Sequence, residues 1–367
     1  MARHKRGFAQ VTQQRSGRFA VRYTNHTGTR RSGGRTFAHK ADAEAFAADL
    51  RRRLERGHRE VAPDKLTFAA YSARWLANRH VAGRPLKPRT RAHYEAILDA
   101  HLLPTFGNRQ LAGITPQDVR DWHARTLTNR PTLRAHAYSL LRTIFTSAAN
   151  EDVIDVNPCR IVGAGRTNRV IKIKPATVAE ITDIAAAMPE RLQLMVLLAS
   201  WCALRFGETI ELRRRDIDLS SEMIRVRRAA VRVGGEYQIT TPKSDASIRD
   251  VTIPPHLIPV IEEHLSKHVG SHRDCLLFPA ENGGHLQPST LARHWYKARA
   301  AAGRDDLRWH DLRHSGAVLA AATGASLAEL MARLGHSTPA AAMRYQHAAQ
   351  GRDREIAALL SKLANGV

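Results

Sequence analysis

The chain has 367 residues, 43% of them apolar, and its 57 Lys plus Arg against 34 Asp plus Glu give a formal charge of +23. That length suits two or three packed domains, and a charge excess beyond what solubility needs points to a polyanionic partner. The composition argues against three classes: Cys159, Cys202 and Cys275 are too few and too far apart for a disulfide framework or a zinc knuckle, no apolar run reaches membrane-span length, and the opening MARHKRGF lacks a signal-peptide core.

Residues 1–60 read as a small basic unit. Arg18–Thr24 alternates as a strand does, Asn25–Gly28 supplies turn residues, and Arg31–Phe37 fits a return strand. A helix follows from Lys40, with Ala43, Phe46, Leu50 and Leu54 on one face and Arg51, Arg52, Arg53 and Arg56 at its end. Such a unit is either a device for pushing basic strands into a groove or a loosely folded basic arm.

Residues 66–160 read as helical. Phe68, Tyr71 and Trp75 share one face, and Tyr94, Ile97, Leu98 and His101 another, before Leu103-Pro104 and Phe106-Gly107 interrupt the pattern. Thr115-Pro116 is an N-cap followed by a first-turn proline, opening a helix through Val119 and Trp122. Leu133, Ala137, Leu140, Leu141, Ile144 and Ala148 mark a fourth helix, which Asn157-Pro158 stops. Residues 161–175 are basic and carry two glycines, and they form the expected linker, a solvated connector or a segment that crosses a phosphate backbone.

Residues 176–367 are mixed. Thr177-x-x-Glu180 is a capping box, and Met195–Leu204 is apolar nearly all round, which predicts a central buried helix. Met223–Arg232, Gln238–Thr240 and Ser247–Ile253 alternate as strands, with Gly234-Gly235 as a hairpin turn. Helices are expected again at Leu257–His268, Ser289–Ala302, His310–Thr323, Leu327–Leu334 and Pro339–His347, with a further amphipathic one at Asp353–Leu363.

The last region carries Arg205 in LRFGE, Lys243 in TPKS, the run HDLRH, and LGH followed nine residues after His336 by Tyr345. A phosphodiester carries its charge on two non-bridging oxygens, and attack at phosphorus adds to it. Guanidinium forks match that geometry and keep their proton, so Arg205 and Arg313 suit a phosphate clamp. A tyrosine phenol, with a pKa of about 10, needs a base and a cationic field to attack, and Tyr345 is the candidate nucleophile. Glu208, three residues after Arg205, is placed to orient it.

These residues, in this order, resemble the tyrosine recombinases, and among them the phage-type integrases. The resemblance covers nearly the whole chain, because HLLPTFGNRQLAGITPQDVRDW and NEDVIDVNP are similar to the family's core-binding domain and residues 1–60 to its arm-binding domain. It implies a mainly α fold with small β-sheets (α+β): a small β-sheet/helix N-terminal domain at 1–60, a helical core-binding domain at 66–160, the linker at 161–175, and a mixed α/β catalytic domain at 176–367. It implies a site-specific integrase that cuts and rejoins double-stranded DNA through a 3′-phosphotyrosine at Tyr345, without metal, ATP or cofactor. His310 then resembles the proton-transfer histidine, His336 the phosphate-bonding one, and Lys243 the residue that protonates the leaving 5′-oxygen. His314, one turn beyond His310, competes with it for the first role or supports it.

The resemblance also implies a tetramer on DNA, with accessory DNA-bending or directionality proteins; the few cysteines and the lack of a span or signal peptide make the cytoplasm, away from membranes, the expected location. The C-terminal helix docks on a neighbouring protomer or packs on its own lobe. One departure is Cys202-Ala203-Leu204, where the family often has Gly ahead of Leu-Arg. Two other readings share some of these features. HDLRH has the paired histidines of a zincin helix, but Asp311 is short for its glutamate and Arg313 would sit beside the metal. A DNA-binding regulator with a recombinase fold would share the charge and the helices, yet has no need of the whole Arg–Lys–His–Arg–His–Tyr set.

Overall fold

The computed structural model describes residues 8–24, 30–55, 66–167, 174–241 and 245–346, with positions 357, 358, 360, 361 and 364. Asn25–Gly28, Arg56, residues 168–173 of the basic linker, Lys243 and most of the C-terminal segment lie outside the described residues. The chain divides into two compact units, residues 1–169 and 170–367. No helix among the described residues is long and apolar enough to cross a membrane.

The first unit begins with an antiparallel sheet of β1 (Ala9–Gln13), β2 (Phe19–Thr24) and β3 (Arg30–Phe37) in that order, followed by helix α1 (Lys40–Glu55). Val21 and Tyr23 are buried at alternate positions of β2, and Ala43 and Leu50 are buried on α1. The sequence AQVTQ of β1 is too polar to announce a strand, and its pairing with β2 defines it. Gly33 lets the sheet meet α1, since a Cβ there would stand 2.9 Å from the Phe46 ring.

Helix α2 (Phe68–Asn78) is capped by Thr67, whose hydroxyl accepts from the Ala70 amide at 3.2 Å. A two-residue ladder, β4 (His80–Val81) with β5 (Arg84–Pro85), leads to α3 (Pro88–Ile97). The expected break at Leu103-Pro104 does not occur. A π-helical turn over Leu98–Leu102 joins α3 to α4 (Leu103–Phe106), so Pro104 falls in a first turn, where its missing N–H costs nothing. Helix α5 (Pro116–Arg125) starts at the Thr115 cap, which Asp118 completes by accepting from the Thr115 amide at 2.8 Å. Helix α6 (Pro131–Asn150) closes the core, and Phe68, Tyr71, Phe106, Trp122, Tyr138 and Phe145 fill it.

The second unit opens with α7 (Val178–Ala186), capped by the Thr177–Glu180 box, and α8 (Glu190–Trp201), whose Leu192, Leu194, Met195, Val196 and Leu198 are buried. The helix expected to run to Leu204 stops at Trp201, because Ala203 takes a left-handed φ of 51° and turns the chain towards Arg205 and the short α9 (Phe206–Thr209). The single strand expected over Met223–Arg232 is two. With β6 (Ile217–Asp218), strand β7 (Met223–Val226) enters a sheet of order β10-β7-β6, where β10 is Arg249–Thr252, while β8 (Ala229–Val233) pairs with β9 (Glu236–Thr240) in a separate two-stranded ladder. The break falls at Arg227 and Arg228, whose guanidiniums bind Asp250 at 2.6 Å and Asp216 at 2.6 Å, so the chain leaves one sheet for the other.

Helices α10 (Ile258–His268), α11 (Pro288–Ala301), α12 (Trp309–Ala322), α13 (Leu327–Leu334) and α14 (Pro339–Gln346) complete the unit within a residue or so of expectation. Helix α12 lies directly on α8, because Gly316 offers no side chain to the Ser200 carbonyl. A Cβ there would stand 1.7 Å from that oxygen. Gly316→Ala is therefore expected to cost about 1–3 kcal/mol through forced separation of the two helices. Denaturant midpoints of parent and variant measure it, and an unchanged midpoint contradicts the packing described.

Candidate active site

Three short stretches converge in the second unit: Ala203–Glu208, Ser247–Arg249 and Leu334–His336. Arg205 caps α9, and its guanidinium donates to Glu208 Oε1 at 2.6 Å, the Ser247 hydroxyl at 3.2 Å and the Gly335 carbonyl at 3.0 Å. Glu208 is buried and also accepts from Arg249 Nη2 at 3.1 Å. Burial pushes its carboxyl up, but the charge and hydrogen bond of Arg249 and the charge of Arg205 together bring it below the usual carboxylate range. It is an anion wedged between two arginines.

Arg313, on the first turns of α12, is 3% exposed and donates to the carbonyls of Ala203 and Leu334. Burial first, then the Arg205 charge, lower its pKa, yet a guanidinium stays charged at neutral pH. Gly335 ends α13 in a left-handed turn, φ 62°, and a Cβ there would stand 2.9 Å from Ser247 Cα. That glycine lets the His336 turn settle onto the Arg205 network.

Tyr345, near the end of α14, is 8% exposed and packs with Ala203, Ala317, Ala321, Leu330, Leu334 and Ala342. Its hydroxyl meets His314 Nδ1 at 2.5 Å. The His336 ring lies 6.2 Å from the tyrosine ring, nearly parallel to it at 19°. Burial raises the phenol pKa, opposed by the charges of Arg313, Arg344 and Arg205. His310 meets His314 edge to face at 4.9 Å and keeps an accessible edge, while the protein around it and the Arg313 charge lower its pKa. Thus Arg205, Glu208, Arg313, His310, His314, His336 and Tyr345 come together, with His314 rather than His310 on the phenol; Lys243 lies outside the described residues.

Arg249 was not among the expected site residues. It is 8% exposed, and besides Glu208 it holds the carbonyls of Arg333 at 2.8 Å and Ser247 at 3.1 Å. The period of β10 carried the signal, since Arg249 shares the inward face with Val251.

His336 Nδ1 is buried without a hydrogen-bond partner among the described residues, and burial with the charges of Arg313 and Arg205 lowers the ring from 6.5 to about 4. Between those two values the unfolded chain binds the extra proton, so this ring makes stability rise with pH through the window and fall as acid is added. His336→Gln, which cannot titrate, is expected to lose less stability than the parent between pH 7 and pH 5. Denaturant midpoints at the two values measure this; equal losses contradict a neutral His336.

Three family profiles match: "Phage integrase family" over residues 172–352, "Phage integrase, N-terminal domain" over 7–56, and "Phage integrase, N-terminal SAM-like domain" over 67–127. The prophage phiRv2 integrase of Mycobacterium tuberculosis is 55% identical, covering 99% of this chain and 97% of its own. The integrase of Mycobacterium phage D29 is 36% identical, covering 99% of each. Among solved structures, the fold is similar to the Tn1549 transposon integrase in complex with transposon right end DNA (TM-score 0.66, 18% identity, 82% of this chain and 100% of that one). It is also similar to a lambda integrase tetramer bound to a Holliday junction (TM-score 0.56, 18% identity, 94% and 96%). Near-full-length identity at this level means that the chain belongs to the phage integrase family of tyrosine recombinases.

Proposed function

We propose that Tyr345 attacks a DNA phosphodiester held by Arg205 and Arg313, forming a 3′-phosphotyrosine and freeing a 5′-hydroxyl, and that the reversal of this step rejoins strands. As a member of its family the chain is a site-specific integrase, an enzyme that cleaves and rejoins DNA. The observation that carries the assignment of roles is the Tyr345 hydroxyl on His314 Nδ1, within the field of the two arginines. A phenol whose pKa is raised needs a base at hand, and His314, backed by the His310 ring, takes its proton. Arg205 and Arg313 are already pinned by protein groups, so they meet charge growing on the phosphate without reorganising. The lowered pKa of His336 keeps it neutral, a donor for one phosphate oxygen. Lys243 delivers a proton to the leaving 5′-oxygen. Positive charge comes from the side chains themselves, so the scheme calls for no metal, and the phosphotyrosine conserves the bond energy, so it calls for no ATP.

The substrate is double-stranded DNA, a reading supported by the Tn1549 integrase in complex with transposon right end DNA and the lambda integrase bound to a Holliday junction. We read the working form as a tetramer, aided by DNA-bending or directionality proteins, with residues 1–60 on arm sites, 66–160 and 176–367 around the core site, and 161–175 crossing between them. The complete set of arginines, lysine, histidines and tyrosine favours this over a binding-only protein, which would share the +23 charge.

A duplex nicked beside the scissile phosphate traps the covalent intermediate. Tyr345→Phe is expected to abolish trapping while retarding DNA as the parent does, and Arg205→Ala to slow trapping by about 10²–10³-fold. A Tyr345→Phe protein that still forms adduct overturns the nucleophile. Removing residues 1–60 should leave trapping at the core site intact and cost integration between distant sites. If trapping disappears too, the arm-domain boundary is wrong.

A further inference from the structure

A second ionic cluster lies outside the chemistry just described, centred on Glu211, six residues after Arg205. Its carboxylate is 1% exposed and receives His285 Nε2 at 2.6 Å, Arg213 Nη2 at 2.9 Å and Arg228 Nε at 3.0 Å. Arg228 also donates to Asp216 at 2.6 Å, and Asp216 accepts from the Arg213 amide at 3.0 Å. Two of these partners anchor the β8–β9 hairpin. Arg228 immediately precedes β8, and Tyr237 of β9 places its ring 5.1 Å from His285 and donates its hydroxyl to the Leu286 carbonyl at 2.8 Å. On the other side, Gly207 brings the Arg205 turn so close that a Cβ would stand 2.7 Å from the Ala230 carbonyl of β8. The hairpin is thus fixed at its entry, in β8 and on β9. A two-stranded ladder alone is marginal in water, so these anchors decide where it stands.

Strand β9 ends at Thr240, three residues before Lys243. We propose that Glu211, with His285 and Tyr237, is a positioning device that fixes the β8–β9 hairpin and thereby the delivery of the Lys243 proton to the leaving 5′-oxygen. This rests on the reading of Lys243 as the leaving-group acid. In that step the Tyr345 oxygen bonds to phosphorus, the bond from phosphorus to the 5′-oxygen breaks, and that oxygen takes the lysine proton. The tyrosine proton goes to the histidines. None of the three positioning residues touches the reacting atoms, and their effect is on geometry, where displacement by about 1 Å costs on the order of 10²-fold in rate.

A duplex whose scissile 5′-oxygen is replaced by sulfur isolates this step, because a thiolate leaves without a proton. With full-length protein, His285→Ala and Tyr237→Phe are expected to slow adduct formation on the ordinary phosphodiester by about 10–100-fold, with little change in DNA affinity. On the sulfur-bridged duplex both should return to near the parent rate. His285→Gln, which keeps a donor in place of Nε2, should stay near the parent on both. Lys243→Ala is the reference and should be rescued in the same way. If Lys243→Ala is not rescued, the leaving-group reading fails and takes the proposal with it. If Lys243→Ala is rescued but His285→Ala is not, the proposal alone fails, as it does if His285→Ala matches the parent on the ordinary duplex.

Discussion

Arg313 is a cation inside the protein, and the site is organised around keeping it there. A buried charge without partners is costly, and this one is met by the carbonyls of Ala203 and Leu334 and by the field of Glu208. Those two carbonyls belong to segments some 130 residues apart, so satisfying one guanidinium brings the Arg205 turn and the His336 turn face to face. Arg205 repeats the connection by bonding Gly335, and Arg249 does so again through Arg333. Three arginines close the same seam from three directions, and Glu208 is the carboxylate they share.

That arrangement sets the protonation of everything near it. Positive charge and the surrounding protein act together to lower His336 and His310, and against each other on Tyr345, whose phenol burial keeps protonated. Fixed guanidiniums, imidazoles of lowered pKa and an intact phenol are the electrostatics that the proposed phosphodiester chemistry calls for. On that reading a phosphate's charge offsets the crowding of the arginines, and the phenol that attacks it has His314 Nδ1 already in contact.

Much of this was legible in the sequence because chemistry restricts residue type. Arginines beside apolar runs and a late tyrosine after LGH pointed to the side chains that come together in the candidate site, and the periodicity of the second unit's helices located their ends closely. What stayed hidden depended on contacts rather than patterns. AQVTQ becomes a strand only through its pairing, and Met223–Arg232 divides only because Arg227 and Arg228 find carboxylates on different partners. The helix through Pro104 persists because a π turn resets its register. The choice of His314 over His310 at the phenol depends on which face of α12 meets α14, and spacing alone left both open. Ala203 shows the same limit from the other side. Its position favours glycine because the backbone there is left-handed, φ 51°, a conformation costing an L-residue about 1–2 kcal/mol. The turn survives that cost because the carbonyl it presents is the one Arg313 needs.

The arginines also correct what bulk charge alone suggests. Composition assigns all of the +23 excess to a polyanion outside, yet several guanidiniums are committed inward. Arg249 and Arg304 are both buried, Arg249 on Glu208 and two carbonyls, and Arg304 on Glu180, Asp306 and the Lys174 carbonyl. These serve as multi-armed hydrogen-bond donors joining loops that have too little apolar surface to hold one another. Lysine could not replace them, since one ammonium cannot reach two carbonyls and a carboxylate lying in different directions. In this second unit, on the proposed reading, arginine does two jobs with one chemistry: facing phosphate at the site and tying backbone and carboxylates elsewhere. What separates the jobs is the set of partners each guanidinium finds, which composition does not record.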